Sequence, residues 1–221
     1  MENIVAIKSI EQVTPDVKRF VVEKPDGYTF KPGQASHISI AKEGWKDEDR
    51  PFTFTSLPDW TDLEFTIKIY RDHDGVTEQL SKLKAGDTLI LREAGGAIQY
   101  KGDGYFIAGG AGVTPFISIF RQLKKEGKLD NNHLIFSNKT DKDIILKNEF
   151  DNMQGLNTTY VVTDQDDTQH TKAYLDKDFL KSKITDFNKH FYVCGPPNMT
   201  DEIVEILENL GAETDSVVLD N

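Results

Sequence analysis

The sequence predicts a chain in two parts. An antiparallel Greek-key β-barrel is expected over residues 1–97, and a doubly wound α/β unit with five parallel strands over residues 98–221. Three observations carry this. The 221 residues are enough for two small domains. Up to Gly96, short apolar–polar alternations are broken by Gly, Pro and Asp turns, the spacing of a small antiparallel barrel. Beyond that point strand-like and helix-like stretches alternate, as in a parallel sheet with helices on both faces.

In the first part, period-two alternation predicts strands over 5–10, 19–23, 37–40, 63–70 and 88–91, with 50–56 as a further strand. The turns between them are Pro25-Asp26-Gly27, Lys31-Pro32-Gly33, Glu43-Gly44, Pro58-Asp59, Asp74-Gly75 and Ala85-Gly86-Asp87. One short helix fits 76–83. In the second part, strands are expected over 105–108, 133–137, 158–162, 190–194 and 216–219. A helix over 115–126 aligns Phe116, Ile119, Phe120 and Leu123 on one face. A helix over 199–210 does the same with Ile203, Ile206, Leu207 and Leu210 and stops at Gly211.

Composition narrows the function. Lys and Arg number 26 against 37 Asp and Glu, a formal charge of −11, and neither half is basic. A general nucleic-acid binder or a protein of anionic membrane surfaces needs the opposite balance. No apolar run approaches the ~18 residues of a membrane span, and Met1-Glu2-Asn3-Ile4 opens no signal sequence. The chain has one cysteine, Cys194. One thiol closes no intrachain disulfide and cannot ligate an iron–sulfur cluster or a structural zinc alone. A cytoplasmic protein without a metal site is the expectation.

Three segments carry candidate chemistry. Residues 105–115 read Tyr-Phe-Ile-Ala-Gly-Gly-Ala-Gly-Val-Thr-Pro, an apolar strand running through glycines into a helix. Such a turn lets a phosphate approach the backbone at a helix N-terminus, with Thr114 expected as the cap and Pro115 in the first turn. The same residues equally suit a tight strand-to-helix connection. Arg50-Pro51-Phe52-Thr53-Phe54-Thr55-Ser56 offers a guanidinium for a diphosphate, an aromatic for a flat ring and a hydroxyl for its edge. The alternative is an ordinary strand whose Arg50 pairs with Asp47 or Asp49. Cys194 ends the fourth parallel strand before Gly195-Pro196-Pro197, at the edge where open α/β sheets bind ligands. It is equally a small buried filler.

Taken in order, these segments resemble the ferredoxin–NADP⁺ reductase-like flavoenzymes. The matching motifs are Arg50-Pro51-Phe52-Thr53, Gly75-Val76-Thr77, Gly109-Gly110-Ala111-Gly112-Val113-Thr114-Pro115 and Cys194-Gly195-Pro196, with Lys31-Pro32-Gly33-Gln34 as a further turn. The resemblance spans nearly the whole chain. It implies a flavin-binding barrel followed by a Rossmann-like NAD(P)-binding domain, without an iron–sulfur domain. Arg50 would hold the FAD diphosphate, with Pro51 beside it. Phe52 would pack on the ring, and Thr53 would bond the ring nitrogen that receives hydride. Thr66, Ile67 and Lys68 would run beside the flavin. Gly75, Val76 and Thr77 would give backbone N–H groups to its diphosphate. Gly109, Gly110, Gly112, Val113, Thr114 and Pro115 would cradle the nicotinamide dinucleotide, and Thr114 and Cys194 would flank the nicotinamide. Gly195, Pro196 and Met199 continue that wall. Thr53 and Cys194 are thus the candidates nearest the hydride step.

Two departures stand out. The family often ends in an aromatic that covers the flavin, two residues after an acid; here the end is Val217-Val218-Leu219-Asp220-Asn221, with Asp220 at the acid position and no aromatic. The Gly75 motif is also one residue short of the usual form. Asn138-Lys139-Thr140-Asp141-Lys142-Asp143-Ile144-Ile145-Leu146 resembles a stretch of NADH-dependent cytochrome reductases, which favours NADH, although Lys139 and Lys142 could hold the extra phosphate of NADPH.

The expected activity is a monomeric FAD-dependent NAD(P)H oxidoreductase. It would pass electrons to a separate acceptor: flavodoxin, ferredoxin or a small molecule. The alternative is a non-catalytic flavin-binding electron-transfer or regulatory subunit of a larger complex. An acidic carrier would need a local basic rim, for which Lys18, Arg19, Lys31, Lys68, Arg71, Lys82, Lys84 and Arg92 are candidates.

Overall fold

The computed structural model describes residues 2–71, 74–96, 98–213 and 217–219. Its first part is a six-stranded antiparallel sheet of β1 (Asn3–Thr14), β2 (Val17–Glu23), β3 (Ala35–Ile40), β4 (Arg50–Thr53), β5 (Asp62–Lys68) and β6 (Thr88–Gly95), with helix α1 (Val76–Ser81) before β6. The strand order is β4-β3-β6-β1-β2-β5. A lone antiparallel bridge between Phe54 and Phe65 joins the two outer strands and closes the sheet into a barrel. The barrel interior is filled from alternate positions, among them Phe20, Val22, Phe54, Phe65, Ile67 and Leu91. Strand β1 is longer than the alternation predicts, because Ser9 to Thr14 continue the ladder with β2 through two register shifts.

The second part is the expected parallel sheet. It contains β7 (Gly104–Gly109), α2 (Thr114–Glu126), β8 (His133–Asn138), α3 (Lys147–Asp151), β9 (Asn157–Val162), β10 (Thr171–Lys172), α4 (Lys177–Lys183), β11 (His190–Cys194), α5 (Pro197–Asn209) and β12 (Val217–Leu219). The order is β10-β9-β8-β7-β11-β12. The two-residue β10 extends the expected five strands by a short edge. β10, α3 and α4 had no sequence prediction, since two to seven residues are too few for a period to register. The two faces bury separate cores. Phe106, Phe116, Phe120, Phe136 and Tyr192 lie on one side of the sheet, and Ile107, Ile135, Phe191, Val193 and Ile203 on the other.

Helix α2 joins the two parts. Its apolar face packs on the sheet through Phe116, Phe120 and Leu123. The amide of Gly33 on the barrel donates to Ser118 Oγ at 2.9 Å. Gly33 has φ +88°, and a side chain there would collide with the Ile98 carbonyl, so this contact requires glycine. Val17, at the start of β2, buries its side chain in the core of the α/β part. No helix among the described residues is long and apolar enough to cross a membrane.

Candidate active site

The strand order reverses direction at β7. The chain first builds outward through β8 and β9, then returns to lay β11 on the other side of β7. Both turns that leave this switch point have the composition such a crevice needs. After β7 a 3-10 turn, Gly110–Val113, runs directly into α2. A β-carbon on Gly112 would drive into the Cys194 carbonyl and stand 2.6 Å from the Gly195 nitrogen. One on Gly109 would lie 2.5 Å from Met199 Sδ, and one on Gly195 would lie 2.7 Å from Met199 Cε. These three glycines let the two turns touch. Gly110 differs: it has φ +53° and open space where a side chain would stand, so it is the glycine that presents bare backbone to the crevice.

The expected cap role of Thr114 is corrected. Thr114 already has helical angles (φ −59°, ψ −40°), and no side chain caps α2, because the preceding 3-10 turn supplies its first turn. Val113 and Pro115 bury their side chains in the core, leaving only backbone for any ligand.

A cleft of about 590 Å³ opens at this edge. One wall comes from the α/β part: residues 109–112, Ser137, Asn138, Lys139, Asp143, Thr163, and Gly195 through Pro197 with Met199. The other comes from the barrel: Asp16, Val17, Lys68 and Tyr70. Lys68 Nζ bonds the Asp16 carboxylate at 2.9 Å and lies 5.8 Å from the Tyr70 ring centre. Tyr70 is half exposed. Asn138 is buried, and neither atom of its side-chain amide has a partner among the described residues. Such a group costs free energy unless something bonds it. Asp143 is engaged: its carboxylate accepts from the Thr140 amide at 2.9 Å and the Thr140 hydroxyl at 2.8 Å, a capping box that fixes this loop. The Cys194 thiol is buried, so at this turn Gly195 and Pro196 face the cleft.

Among the described residues, the barrel's ladder has one break. Strands β4 and β5 meet only at the Phe54–Phe65 bridge; beyond it Pro51–Thr53 and Thr66–Lys68 form no ladder with each other. The pairing of the two outer strands stops there, leaving a slot in the ladder between them. Thr53 and Phe52 are half-buried, and Phe52 also packs on the barrel core. Ile67 is a core residue, and Thr66 Oγ1 lies 3.3 Å from Thr55 Oγ1, so both side chains are engaged within the barrel.

Arg50 is exposed. It donates to the Asp49 carbonyl at 2.5 Å and lies 3.9 Å from Glu48, and its other donors have no partner among the described residues. The pairing with an Asp carboxylate does not form, because the Asp49 carboxylate is taken by His37 at 2.7 Å and Arg92 at 3.4 Å. The hydrogen bond from His37 holds the Asp49 carboxyl below its usual range, with Arg92 adding to this. At α1, Gly75 precedes the helix with extended angles and no side-chain cap, and Thr77 Oγ1 accepts from the Tyr70 amide at 3.2 Å. Val76 is buried in the barrel core.

Comparison with known proteins bears on this arrangement. Residues 106–205 match the family described as oxidoreductase NAD-binding domain. The NADH-cytochrome b5 reductase 2 of Candida glabrata is 33% identical, the alignment covering 89% of this chain and 72% of that protein. The chain belongs to the ferredoxin–NADP⁺ reductase-like family of flavin-dependent oxidoreductases. The propane 2-monooxygenase reductase component of Rhodococcus jostii is 28% identical over 97% of this chain, which spans 62% of that protein's length. In fold, the chain is similar to a ferredoxin NADP⁺ reductase from Neisseria gonorrhoeae with bound FAD and NADP. The TM-score is 0.87 at 20% identity, covering 100% of this chain and 98% of that one.

The reductase fold is matched by residues that fit its two cofactors. The break in the β4–β5 ladder, with an exposed Arg with open donors at the start of β4, fits a flat ring joined to a diphosphate. The orphan amide of Asn138 and the open backbone of Gly110 fit a dinucleotide in the cleft. Asp16, Tyr70, Ser137, Asp143 and Thr163 line this cleft without having been expected there. Asp16 and Tyr70 leave no sequence signal, because only folding brings β1–β2 and the end of β5 to the α/β edge. Asp220 and the chain terminus lie outside the described residues.

Proposed function

We propose that this reductase-family chain takes hydride from NADH through FAD and passes electrons singly to a separate carrier, with residues 1–97 binding flavin and 98–221 binding the nicotinamide. The observation that carries the reading is the cleft itself. The two glycine turns of the switch point face Lys68 and Tyr70 across it, and Lys68 is the last residue of β5, so the cleft reaches the end of the barrel strand that carries Thr66 and Ile67. Two flat rings bound in these places would meet, which is what hydride transfer requires. FAD, when bound, supplies the change from two-electron to one-electron chemistry.

The chain's residues position and exclude. Arg50 clamps the FAD diphosphate, helped by backbone N–H groups of Gly75 to Thr77. Phe52 packs on the ring and Thr53 holds its edge. Backbone at Gly110 and Gly112, together with Asn138 and Lys139, orients the dinucleotide. Cys194, through the turn it shares with Gly195, Pro196 and Met199, sets the nicotinamide's depth. NADH is favoured because the loop after β8 carries the Thr140–Asp143 box and places the Asp143 carboxylate on the cleft wall, which disfavours a further phosphate.

For the carrier, several relatives are named for cytochrome b5 and one for a monooxygenase. A small haem protein therefore joins ferredoxin and flavodoxin as a candidate. Half of the proposed basic rim is ion-paired: Arg19 with Glu11, Lys68 with Asp16, Lys82 with Glu78, and Arg92 with Asp49 and Glu2.

Anaerobic mixing of the purified yellow protein with NADH or NADPH tests the reading. Rapid bleaching by NADH, slower by NADPH, followed by reoxidation on adding a one-electron carrier, is expected. Bleaching by neither nicotinamide would overturn it.

A further inference from the structure

Helix α2 begins where the glycine turn ends, and three of its polar side chains reach the barrel. Ser118, Arg121 and Lys125 are spaced three and four apart and so share one face. Ser118 meets Gly33 and Lys125 pairs with Asp59. Arg121 stands between them with its side chain only 9% exposed. Its Nη1 donates to the Thr55 carbonyl and to Glu64 Oε1, both at 2.6 Å, on the barrel. Its Nε and Nη2 donate to the two oxygens of Glu149 on α3 at 2.6 and 2.8 Å. Trp60 lies over the guanidinium with its ring centre 5.2 Å away. One side chain on the helix of the nicotinamide turn therefore holds the barrel strand β5, the segment following β4, and the next α/β helix.

The electrostatics make this a constraint. Glu64 is buried, and its other cation, Arg19, is 3.9 Å away and bonded to Glu11. That is beyond hydrogen-bonding range, so Arg121 is the main counter-charge of Glu64. Glu64 lies two residues before Thr66, where β5 begins to border the slot. Any rotation of one part against the other would pull Arg121 from a buried carboxylate, a costly separation.

We infer that Arg121 is a positioning residue: through Glu64, Thr55 and Glu149 it fixes the relation between barrel and α/β part, and with it the distance between the slot and the dinucleotide cleft. In its effect on hydride transfer this rests on the function proposed above; in its effect on geometry it does not. The test compares wild type with Arg121→Met, Arg121→Lys and Glu149→Gln. Two readouts are used. One is the distance distribution between spin labels at Glu43 and Lys181, both exposed and neither lining the cleft. The other is single-turnover reduction by NADH.

For Arg121→Met, flavin content should be retained, the distance distribution should broaden, and the rate at saturating NADH should fall about tenfold, with the NADH dissociation constant changed less than about threefold. Glu149→Gln should show a smaller change of the same kind, and Arg121→Lys should recover part of the rate. An unchanged distance distribution in Arg121→Met, with an unchanged saturating rate, would overturn the inference. If Arg121→Met does not fold, Arg121→Lys and Glu149→Gln decide by the same criteria. If wild type is not reduced by either nicotinamide, the proposed function fails, and the label distances alone decide the role of Arg121.

Discussion

The two walls of the cleft are built in opposite ways. At the two turns the α/β wall is backbone: Gly112 has no room for a β-carbon because the turns are pressed together, Gly109 and Gly195 pack against Met199, and Gly110 offers bare peptide. The barrel wall is side chain: Asp16 and Lys68 form an ion pair, and Tyr70 projects half exposed beside it. Where backbone meets backbone, as at Gly112, an added atom has nowhere to go, whereas a side-chain wall can change its chemistry without changing the fold. The first suits the part of a ligand that never varies, and the second suits the part that does.

Substitutions test that contrast. Gly112→Ala should have the largest effect, because the new methyl meets the Cys194 carbonyl with no flexible side chain to yield. A loss of about 3 kcal/mol is expected by chemical denaturation, together with weakened dinucleotide binding; a variant as stable as wild type would show that the turns are not pressed together. Asp143→Ala should cost about 1 kcal/mol by removing the capping box at the edge of the same wall, read as a lower denaturation midpoint. Lys68→Met on the barrel wall should cost less than about 1 kcal/mol, since its pair with Asp16 is partly exposed. It should instead change the rate with NADH. A stability loss equal to that of Gly112→Ala would erase the distinction between the walls.

The far end of β8 gives a control for both. His133 bonds Thr159 at 2.8 Å, and burial, with the Lys183 charge as a lesser cause, lowers its pKa from 6.5 to about 4. Below pH 6.5 the unfolded chain takes up a proton that the folded chain refuses until about pH 4. Stability should therefore fall as pH drops through that window. His133→Gln should flatten this slope in pH-dependent denaturation while leaving stability at pH 7 and nucleotide binding nearly unchanged.

The contrast also explains what the sequence discloses. The glycine turn, the Cys194-Gly195-Pro196 turn and the helix after each are written in consecutive residues, so their place at one sheet edge follows from strand–helix alternation alone. The face of α2 that meets the barrel was missed, although Ser118, Arg121 and Lys125 stand as polar residues at helical spacing in an apolar segment. Their partners Gly33, Thr55, Glu64, Asp59 and Glu149 are scattered over more than a hundred residues. Thr114 was misassigned as a cap because the Gly-rich stretch looks like a loop, whereas it coils into a 3-10 turn that extends the helix. That Arg50–Thr53 and Thr66–Lys68 border one ligand is implied only by resemblance; the break between them is a pairing that stops after one bridge, which no local pattern encodes.

The Arg121 cluster also bears on how the two halves can be inherited. The barrel contributes a buried carboxylate and a carbonyl, and the α/β part contributes the cation that satisfies them. A hybrid joining this barrel to a foreign partner at residue 97 would strand Glu64 unless the newcomer brought its own guanidinium to that spot. The two halves are therefore not interchangeable modules: they carry a shared lock, and a change on either side has to be matched on the other.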